Sequence, residues 1–299
     1  MRTLTLTIDE HLAGRTVKSL LAQELRMSES LIRRVKLRET GILLNGVRAF
    51  TTACVRAGDV LTAEIGDAPD APRPHPMAAP LAVLYEDADI LILNKPAGLA
   101  VHQSTRDPEE LTLENALAAY LPPDCIPHPV SRLDRGTTGI ITFAKNGYMH
   151  ELLRRMLHTP GFRREYRGVA AGAVEPPRGA VTLPIGLAEG STYQRAVRPD
   201  GAPSRTEYET LARSGGFTLL RLIPCTGRTH QLRVHMAALG FPLAGDWLYG
   251  ARDPRIARPA LHSAELWLTH PLTGTALHLT APLPEDMAAL LANYGESGK

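Results

Sequence analysis

The sequence predicts an α+β protein whose larger part contains a mixed, largely antiparallel sheet. Seven strand-like runs cluster in the second two thirds of the chain, and single helical segments interrupt them without a regular strand–helix alternation. A regular alternation would favour a doubly wound parallel sheet, so its absence favours the α+β class. A Pro-rich stretch also divides the 299 residues into a small N-terminal module and a much larger one, which is compatible with two domains.

Composition and charge indicate a soluble protein with an ordinary core. Hydrophobic residues make up 44% of the chain and charged residues 21%, and the formal net charge is only +2. Binding to nucleic acid would therefore depend on local clusters of basic residues. Three scattered cysteines give neither a disulfide framework nor a metal motif. With no signal-peptide core and no membrane-length apolar run, we expect a cytoplasmic protein without a membrane partner.

The N-terminal module is predicted to contain two short helices followed by a β-hairpin. Val17 and Leu20 recur at helical spacing, and Ser28 is a suitable N-cap for a second helix. The dipeptide Asn45-Gly46 is a strong signal for a hairpin turn between two short strands.

Basic residues are concentrated in the second predicted helix of this module. Arg33, Arg34 and Lys36 lie within four positions, and the hairpin adds Arg48 and Arg56. A solvated helix face explains an isolated basic run. Together with the hairpin arginines, a surface that contacts phosphate groups is an equally good explanation.

A linker separates the two modules. Residues 67–80 are rich in proline and alanine, so they cannot sustain a helix or a paired strand. We therefore place the small domain at residues 1–66 and the main domain at residues 81–299.

The main domain is predicted to contain seven strands and four helices. The predicted strands are residues 81–86, 89–95, 139–145, 166–172, 204–211, 217–223 and 261–270. The predicted helices are residues 113–121, 148–157, 229–239 and 285–294.

One acidic residue stands out in the run "SRLDRGTTG". If this segment is extended, Arg132 and Asp134 point to one face and Leu133 points to the other. The glycines that follow permit a tight turn before the next strand, which is a suitable position for an acid that enters a cleft. A carboxylate paired with its neighbouring arginines is an equally good explanation of this run alone.

A second run, "TGRTHQLRVHMAALGFP", predicts a helix that Thr229 caps. Arg228 would then lie at the positive end of the helix, where a phosphate or a catalytic carboxylate is attracted. An ordinary helix start is the alternative. His230 and His235 are five positions apart, which does not fit helical metal ligands, so we predict no metal site and expect polar supporting roles.

Two further positions are candidates for binding. Tyr166 stands among Arg163, Arg164 and Arg167, which suits stacking on a base with phosphates nearby, although a core tyrosine beside solvated arginines is as common. Lys95 follows a buried-looking strand in the turn "NKPAG", from which it can reach phosphate or cover the surface.

The segments "NKPAGLAVH", "SRLDRGTTG", "REYRGV" and "TGRTHQLRVHMAALGFPLAGDWLYG" together resemble the RluA-type family of RNA pseudouridine synthases. The similarity runs over residues 81–283, and the N-terminal module resembles a small RNA-binding domain named after a ribosomal protein. The resemblance implies a pseudouridine synthase fold, isomerisation of uridine in RNA and no cofactor. Mapped onto this chain, the essential aspartate is Asp134, the tyrosine is Tyr166 and the basic partner is Arg228.

The resemblance also implies how these residues work. A guanidinium favours the charged form of a buried carboxylate by roughly 1–3 pKa units, so we expect Arg228 to keep Asp134 ionised and oriented. Tyr166 would stack on uracil and Leu232 would form an apolar wall. Arg132 would fill the gap that the extracted base leaves in the RNA or hold the displaced backbone. The other substrate-binding candidates are Arg233, Lys95, Arg33, Arg34 and Lys36.

Several alternatives stay open at this point. The resemblance favours ribosomal RNA of the large subunit over transfer RNA as the partner, and we expect a monomer. A non-catalytic RNA-binding protein with the same fold is one rival. A glycoside hydrolase is another, although it would need a second acid in a comparable motif. The sequence does not decide whether Asp134 attacks the sugar, adds to the base or removes a ribose proton.

Overall fold

The computed structural model describes residues 2–292, except residues 69, 105, 106 and 108. Its N-terminal module has four strands and two helices: β1 (Thr3–Thr7), α1 (Val17–Gln23), α2 (Glu29–Val35), β2 (Ile42–Leu44), β3 (Val47–Arg48) and β4 (Val60–Glu64). The strands pair antiparallel in the order β1-β4-β2-β3. Both predicted helices are confirmed, as are the N-cap at Ser28 and the turn at Asn45-Gly46.

The larger module carries the remaining elements. Its strands are β5 (Val83–Glu86), β6 (Ile90–Lys95), β7 (His128–Pro129), β8 (Thr138–Ala144), β9 (Phe162–Ala171), β10 (Arg178–Val181), β11 (Ile185–Leu187), β12 (Arg195–Val197), β13 (Thr206–Ser214), β14 (Phe217–Pro224), β15 (Leu261–Thr269) and β16 (Ala276–Thr280). Its helices are α3 (Leu113–Tyr120), α4 (Gly147–Met156), α5 (Gln231–Ala238) and α6 (Glu285–Ala292). All seven predicted strands and all four predicted helices are present; the last two residues predicted for the final helix lie outside the described residues.

The main sheet confirms the predicted α+β class. Eight strands follow the order β10-β13-β14-β9-β15-β8-β6-β5, with β16 paired to β15 and β7 paired to β8. Among the described pairings of this sheet, β8 and β15 run parallel and the others run antiparallel. Gly139 permits the close approach of these two strands, because a Cβ atom there would lie 2.1 Å from the carbonyl oxygen of Ser263.

The two modules share part of their core. Tyr148 and Leu152 of α4 are buried against the apolar residues of α1, α2 and β4. The Tyr148 hydroxyl also donates a hydrogen bond of 2.7 Å to the carbonyl oxygen of Leu25. Because α4 belongs to the large module, the N-terminal module is attached directly to the main domain.

The described residues between the modules form neither helix nor paired strand, as predicted, and they are anchored along the large module. Arg73 donates hydrogen bonds to the carbonyl oxygens of Ala118 (2.6 Å) and Leu121 (3.0 Å). The Asn115 amide donates to the carbonyl oxygen of His75 at 2.8 Å. The described part of the segment is therefore held against α3, and the domain boundaries that we placed around it stay predictions.

Helix α5 begins later than the sequence predicts, so the expected cap at Thr229 is wrong. His230 is the N-cap residue and has a left-handed backbone with φ of 57°. The Thr229 hydroxyl instead accepts a hydrogen bond of 2.9 Å from Arg132. Within the described residues, no helix combines the length and the apolar character needed to cross a bilayer.

Candidate active site

A cavity of about 770 Å³ opens between the end of the linker, α4, β9 and the loop that precedes α5. Its walls come from segments far apart in the sequence, which the main sheet brings together. Six of the predicted site residues line it: Arg132, Asp134, Tyr166, Arg228, Leu232 and Arg233.

Asp134 lies where an irregular segment turns into β8. Leu133 is buried, whereas Arg132 is exposed and Asp134 is half-buried, so the alternation predicted for this run is confirmed. The carbonyl oxygen of Asp134 accepts a hydrogen bond of 3.0 Å from the amide of Thr137, which closes the turn. The Asp134 side chain retains 28% of its exposure and faces the cavity.

Arg233 is the guanidinium that contacts Asp134. Its Nη1 donates to Asp134 Oδ2 at 3.2 Å, while Nε and Nη2 donate to the two oxygens of Asp246 at 2.7 and 2.8 Å. Asp246 is fully buried, so this bidentate pair fixes the plane of the guanidinium and aims the third nitrogen at Asp134. Burial opposes the charge of Arg233, but the two carboxylates raise its pKa above the ordinary value.

The predicted pairing of Arg228 with Asp134 is wrong. Arg228 lines the same cavity, but its Nε donates to the carbonyl oxygen of Pro203 at 3.2 Å. Because α5 begins at Gln231, Arg233 lies in its first turns, whereas Arg228 stays in the loop ahead of the helix. The contact with Asp134 that was expected of Arg228 is made by Arg233, which the sequence had suggested only as a substrate contact.

Tyr166 and Leu232 form an apolar wall near Asp134. Both belong to one buried cluster with Leu133, and both line the cavity. The hydroxyl-bearing ring of Tyr166 therefore has one side in the core and access to the cavity on the other. The geometry is compatible with the predicted contact to a flat base, and the stacking role of Tyr166 stays a prediction.

The arginines beside Tyr166 do not all share its face of β9. Arg164 lines the cavity, since positions two apart in a strand point the same way. Arg163 lies on the opposite face and forms an ion pair with Glu165, and Arg167 bonds to Glu265. The expected surround of three cations is therefore wrong, and Arg164 alone among them faces the cavity.

Lys95 is not available to a substrate. Its side chain is 1% exposed, and its Nζ donates to the carbonyl oxygens of Pro96 (2.8 Å), Leu99 (2.8 Å) and Arg135 (3.1 Å). The predicted contact of Lys95 with phosphate is therefore wrong, because the turn that follows β6 folds back over the ammonium group. Lys95 instead ties this turn to the loop that carries Asp134.

The burial of Lys95 predicts a measurable pH dependence. Desolvation lowers its pKa from 10.5 to about 8, although the charge of Asp134 acts in the opposite direction. Between those two pH values the unfolded chain binds the proton that the folded protein has lost. The free energy of unfolding should therefore rise with pH over this window, by about 3 kcal/mol.

Urea unfolding of the wild type and of Lys95→Met at pH values from about 7 to 10 tests this contribution. The variant should be less stable throughout, by roughly 2 kcal/mol at pH 7, because the buried carbonyl groups lose their donor. The gap between the two proteins should widen as the pH rises above 8. A gap that stays constant over the whole range would contradict the lowered pKa.

Two residues that the sequence did not single out for catalysis complete the site. The Tyr249 hydroxyl accepts a bond of 2.9 Å from the amide of Arg195, and it shares a hydrogen bond of 2.7 Å with Nδ1 of His230. Nε2 of His230 lies 3.9 Å from Asp134 Oδ2. Burial lowers the pKa of His230 and raises the pKa of Tyr249. The contact with Tyr249 therefore holds the His230 imidazole beside the carboxylate.

The N-terminal basic residues lie away from the cavity. Arg33 and Lys36 are exposed on α2, whereas Arg34 is half-buried and its Nη2 lies 3.4 Å from the carbonyl oxygen of Gly66. Arg34 thus holds the module's own backbone, and Arg33 and Lys36 are available to a partner. In the part of the chain that the structure describes, no group of three His, Cys, Asp or Glu residues is placed to hold a metal ion.

The arrangement suits a carboxylate that acts as a base or as a nucleophile on a flat, uncharged group. One carboxylate faces the cavity; the guanidinium of Arg233 contacts its Oδ2, and Nε2 of His230 lies 3.9 Å from the same oxygen. Oδ1 of Asp134 has no hydrogen-bond partner among the described residues. An apolar wall lies beside it, and the cavity rim carries arginines. A planar base would fit against the wall while its sugar and phosphate lie toward the rim.

Comparison with known proteins identifies similar sequences. Residues 89–238 match the protein-family profile described as RNA pseudouridylate synthase. A protein of Bacillus subtilis named as an RNA pseudouridine synthase is 33% identical over 98% of both chains. Ribosomal large subunit pseudouridine synthase D of Escherichia coli is 35% identical and covers 96% of this chain and 93% of its own.

A solved structure is also similar in fold. Human RNA pseudouridylate synthase domain containing 1 superposes with a TM-score of 0.58 and is 26% identical. The match covers 71% of this chain and 87% of the human one.

Proposed function

This chain belongs to the RNA pseudouridylate synthase family, and we propose that it isomerises uridine in large-subunit ribosomal RNA with Asp134 as the reacting group. Family membership confirms the resemblance seen in the sequence, and members of this family are isomerases. The substrate is proposed because two relatives that cover most of this chain, from Escherichia coli and Nitrosomonas europaea, are named as acting on the ribosomal large subunit.

The reaction exchanges one bond for another within a single nucleotide. The bond between N1 of uracil and C1′ of ribose breaks, and a bond between C5 and C1′ forms. A proton leaves C5 and N1 gains one, so the atoms balance without a co-reactant. Attack on the sugar, addition to the base and removal of a ribose proton each require an ionised carboxylate with an accessible oxygen.

The contacts and the position of Asp134 support this proposal most strongly. Arg233 donates to one of its oxygens from a guanidinium that the buried Asp246 holds in place, and the other oxygen is open to the cavity. Such an arrangement aims the carboxylate without blocking its second oxygen. Tyr166 and Leu232 would then hold the uracil ring, and Arg132 at the rim would occupy the position of the extracted base.

We also propose that the protein acts as a monomer in the cytoplasm. One chain brings Asp134, Arg233, Tyr166 and Leu232 together at the cavity, which supports a monomer. All three cysteines in the described residues are free, which suits a reducing compartment.

Chemical mapping of pseudouridine in total RNA, from cells with and without this gene, tests the proposed substrate. We expect the loss of at least one position in large-subunit ribosomal RNA and its return when the gene is restored. A position lost only from transfer RNA would contradict the ribosomal substrate. If no position is lost from any RNA, the catalytic proposal itself is wrong.

The N-terminal module is proposed to bind the same RNA. Arg33 and Lys36 are exposed beside Arg48, whose Nη2 lies 3.4 Å from the carbonyl oxygen of Lys36. Phe50, which is 79% exposed, lies two residues after the end of β3. Cations with an exposed aromatic ring suit phosphates and an unpaired base.

Replacing both Arg33 and Lys36 with Ala should weaken RNA binding and reduce its dependence on salt. Each lost phosphate contact makes the negative slope of log K against log salt shallower by about 0.7–0.9. Arg178→Ala with Arg252→Ala removes the same charge from exposed positions that do not line the cavity, and it serves as the control. Equal slopes for both double variants would show that α2 does not contact phosphate.

A further inference from the structure

Two arginines and a histidine from separate elements line the same end of the cavity. His158 follows α4, Arg164 lies on β9, and Arg228 lies in the loop between β14 and α5. The Nδ1 of His158 lies 3.2 Å from the carbonyl oxygen of Pro224. A Cβ atom at Gly227 would come within 3.0 Å of His158 Nε2, so the imidazole lies directly against the backbone that precedes Arg228. We call these three residues the cationic cluster.

The positive charge of the cationic cluster is not neutralised by the protein. Neither Arg164 nor Arg228 forms an ion pair with any carboxylate in the described residues, and Arg228 uses only its Nε in a bond to a backbone carbonyl. Desolvation at the cavity wall and the charges of Arg164 and Arg228 lower the pKa of His158, so the positive charge of the cluster is carried by the two arginines. Like charges held together in a groove raise the local positive potential, and an anion relieves their repulsion.

The arginines on the opposite face of β9 do have carboxylate partners, so within this strand the lack of such partners is confined to the face toward the cavity. Arg163 and Arg167 both bond to carboxylates there, and the buried Glu165 contacts Arg163. Arginines on the outer face are therefore neutralised by the protein, while Arg164, their neighbour in sequence, is left unpaired toward the cavity. A general surplus of solvated arginine does not explain this difference between the two faces.

The cationic cluster lies one step along the groove from the proposed uracil site. Arg164 and Tyr166 are two positions apart on one face of a strand, a spacing of about 7 Å. Arg228 is two residues before His230, which faces Asp134. We propose that the cationic cluster binds a phosphodiester group of the RNA strand next to the isomerised uridine. This inference rests on the proposed function and gives Arg228 a binding role in place of the orienting role first expected.

Binding of RNA to a protein that cannot turn it over tests this site. The protein is full-length Asp134→Asn, and the probe is a uridine-containing RNA oligonucleotide whose fluorescence anisotropy is measured between about 50 and 200 mM salt. Arg164→Ala and Arg228→Ala are each added to it. Arg163→Ala is the matched control, because it removes the same charge from the adjacent residue on the other face.

The slope of log K against log salt is negative. Arg164→Ala and Arg228→Ala should each make it shallower by about 0.7–0.9, whereas Arg163→Ala should leave it unchanged. An equal slope for all three variants would overturn the phosphate site. A variant with a lowered melting temperature is replaced by the corresponding Arg→Gln change, for which the same slopes are expected. Because no turnover is measured, a failure of the proposed isomerisation would not alter this result, and the two proposals are tested separately.

Discussion

Replacing Asp134 with Asn should abolish pseudouridine formation and leave the fold and the RNA affinity intact. The amide keeps the shape of the side chain and can still accept a hydrogen bond from Arg233, which lies 3.2 Å from Oδ2 in the wild type. It cannot carry the negative charge that each of the three routes requires. We expect turnover to fall at least about a thousandfold, the scale on which acid–base and nucleophilic groups contribute.

Single-turnover assays with saturating RNA measure this loss, and anisotropy with the same RNA measures binding. Glu114→Gln is the matched control, since Glu114 lines the same cavity and pairs with His102 at 2.9 Å. That variant makes the same carboxylate-to-amide change without touching Asp134, so it should keep most of the activity. Turnover by Asp134→Asn within about tenfold of wild type would contradict a chemical role for this acid.

The secondary structure was predictable from the sequence because its signals are local. Runs such as residues 139–145 are apolar and β-branched, and Asn45-Gly46 fixes a turn through two positive φ angles. The strand order was not predictable in the same way. The parallel contact of β8 with β15 joins residues more than a hundred positions apart, and no local pattern encodes it.

The acid and its apolar wall were also predictable, but the partner of the acid was not. "TGRTHQLRVH" contains both Arg228 and Arg233, and its periodicity does not show where the helix begins. The helix starts after a left-handed His230, and this start decides which arginine faces Asp134. Asp246, which fixes Arg233, is a tertiary contact without a sequence signal of its own.

The burial of Lys95 was also not predictable from the residues around it in the sequence. A lysine in a turn after a strand is usually exposed, and the motif "NKPAG" gives no sign that three carbonyl groups surround the ammonium. One of those groups, that of Arg135, comes from a different segment. Burial of a charged group is set by what folds over it, which a single stretch of sequence does not contain.

Substitutions at Arg233 and Asp246 should separate the effect on the stability of the fold from the effect on turnover. Arg233→Met alone leaves the fully buried Asp246 carboxylate without its cation, so the free energy of unfolding should fall by roughly 3–5 kcal/mol. The double variant Arg233→Met/Asp246→Leu replaces the pair with apolar groups of similar volume. Its stability should return to within about 1 kcal/mol of wild type, because neither buried charge is left unpaired.

Activity should not return with stability in the double variant, because Asp134 has still lost the guanidinium that orients it. We expect turnover to stay about a hundredfold or more below wild type, measured beside urea unfolding of the same samples. The control is Arg2→Met/Asp89→Leu, which removes another bidentate pair at a position that does not line the active-site cavity and should keep its activity. If the Arg233/Asp246 double variant recovers both stability and turnover, Arg233 serves the fold alone, and Asp134 does not depend on it for its orientation.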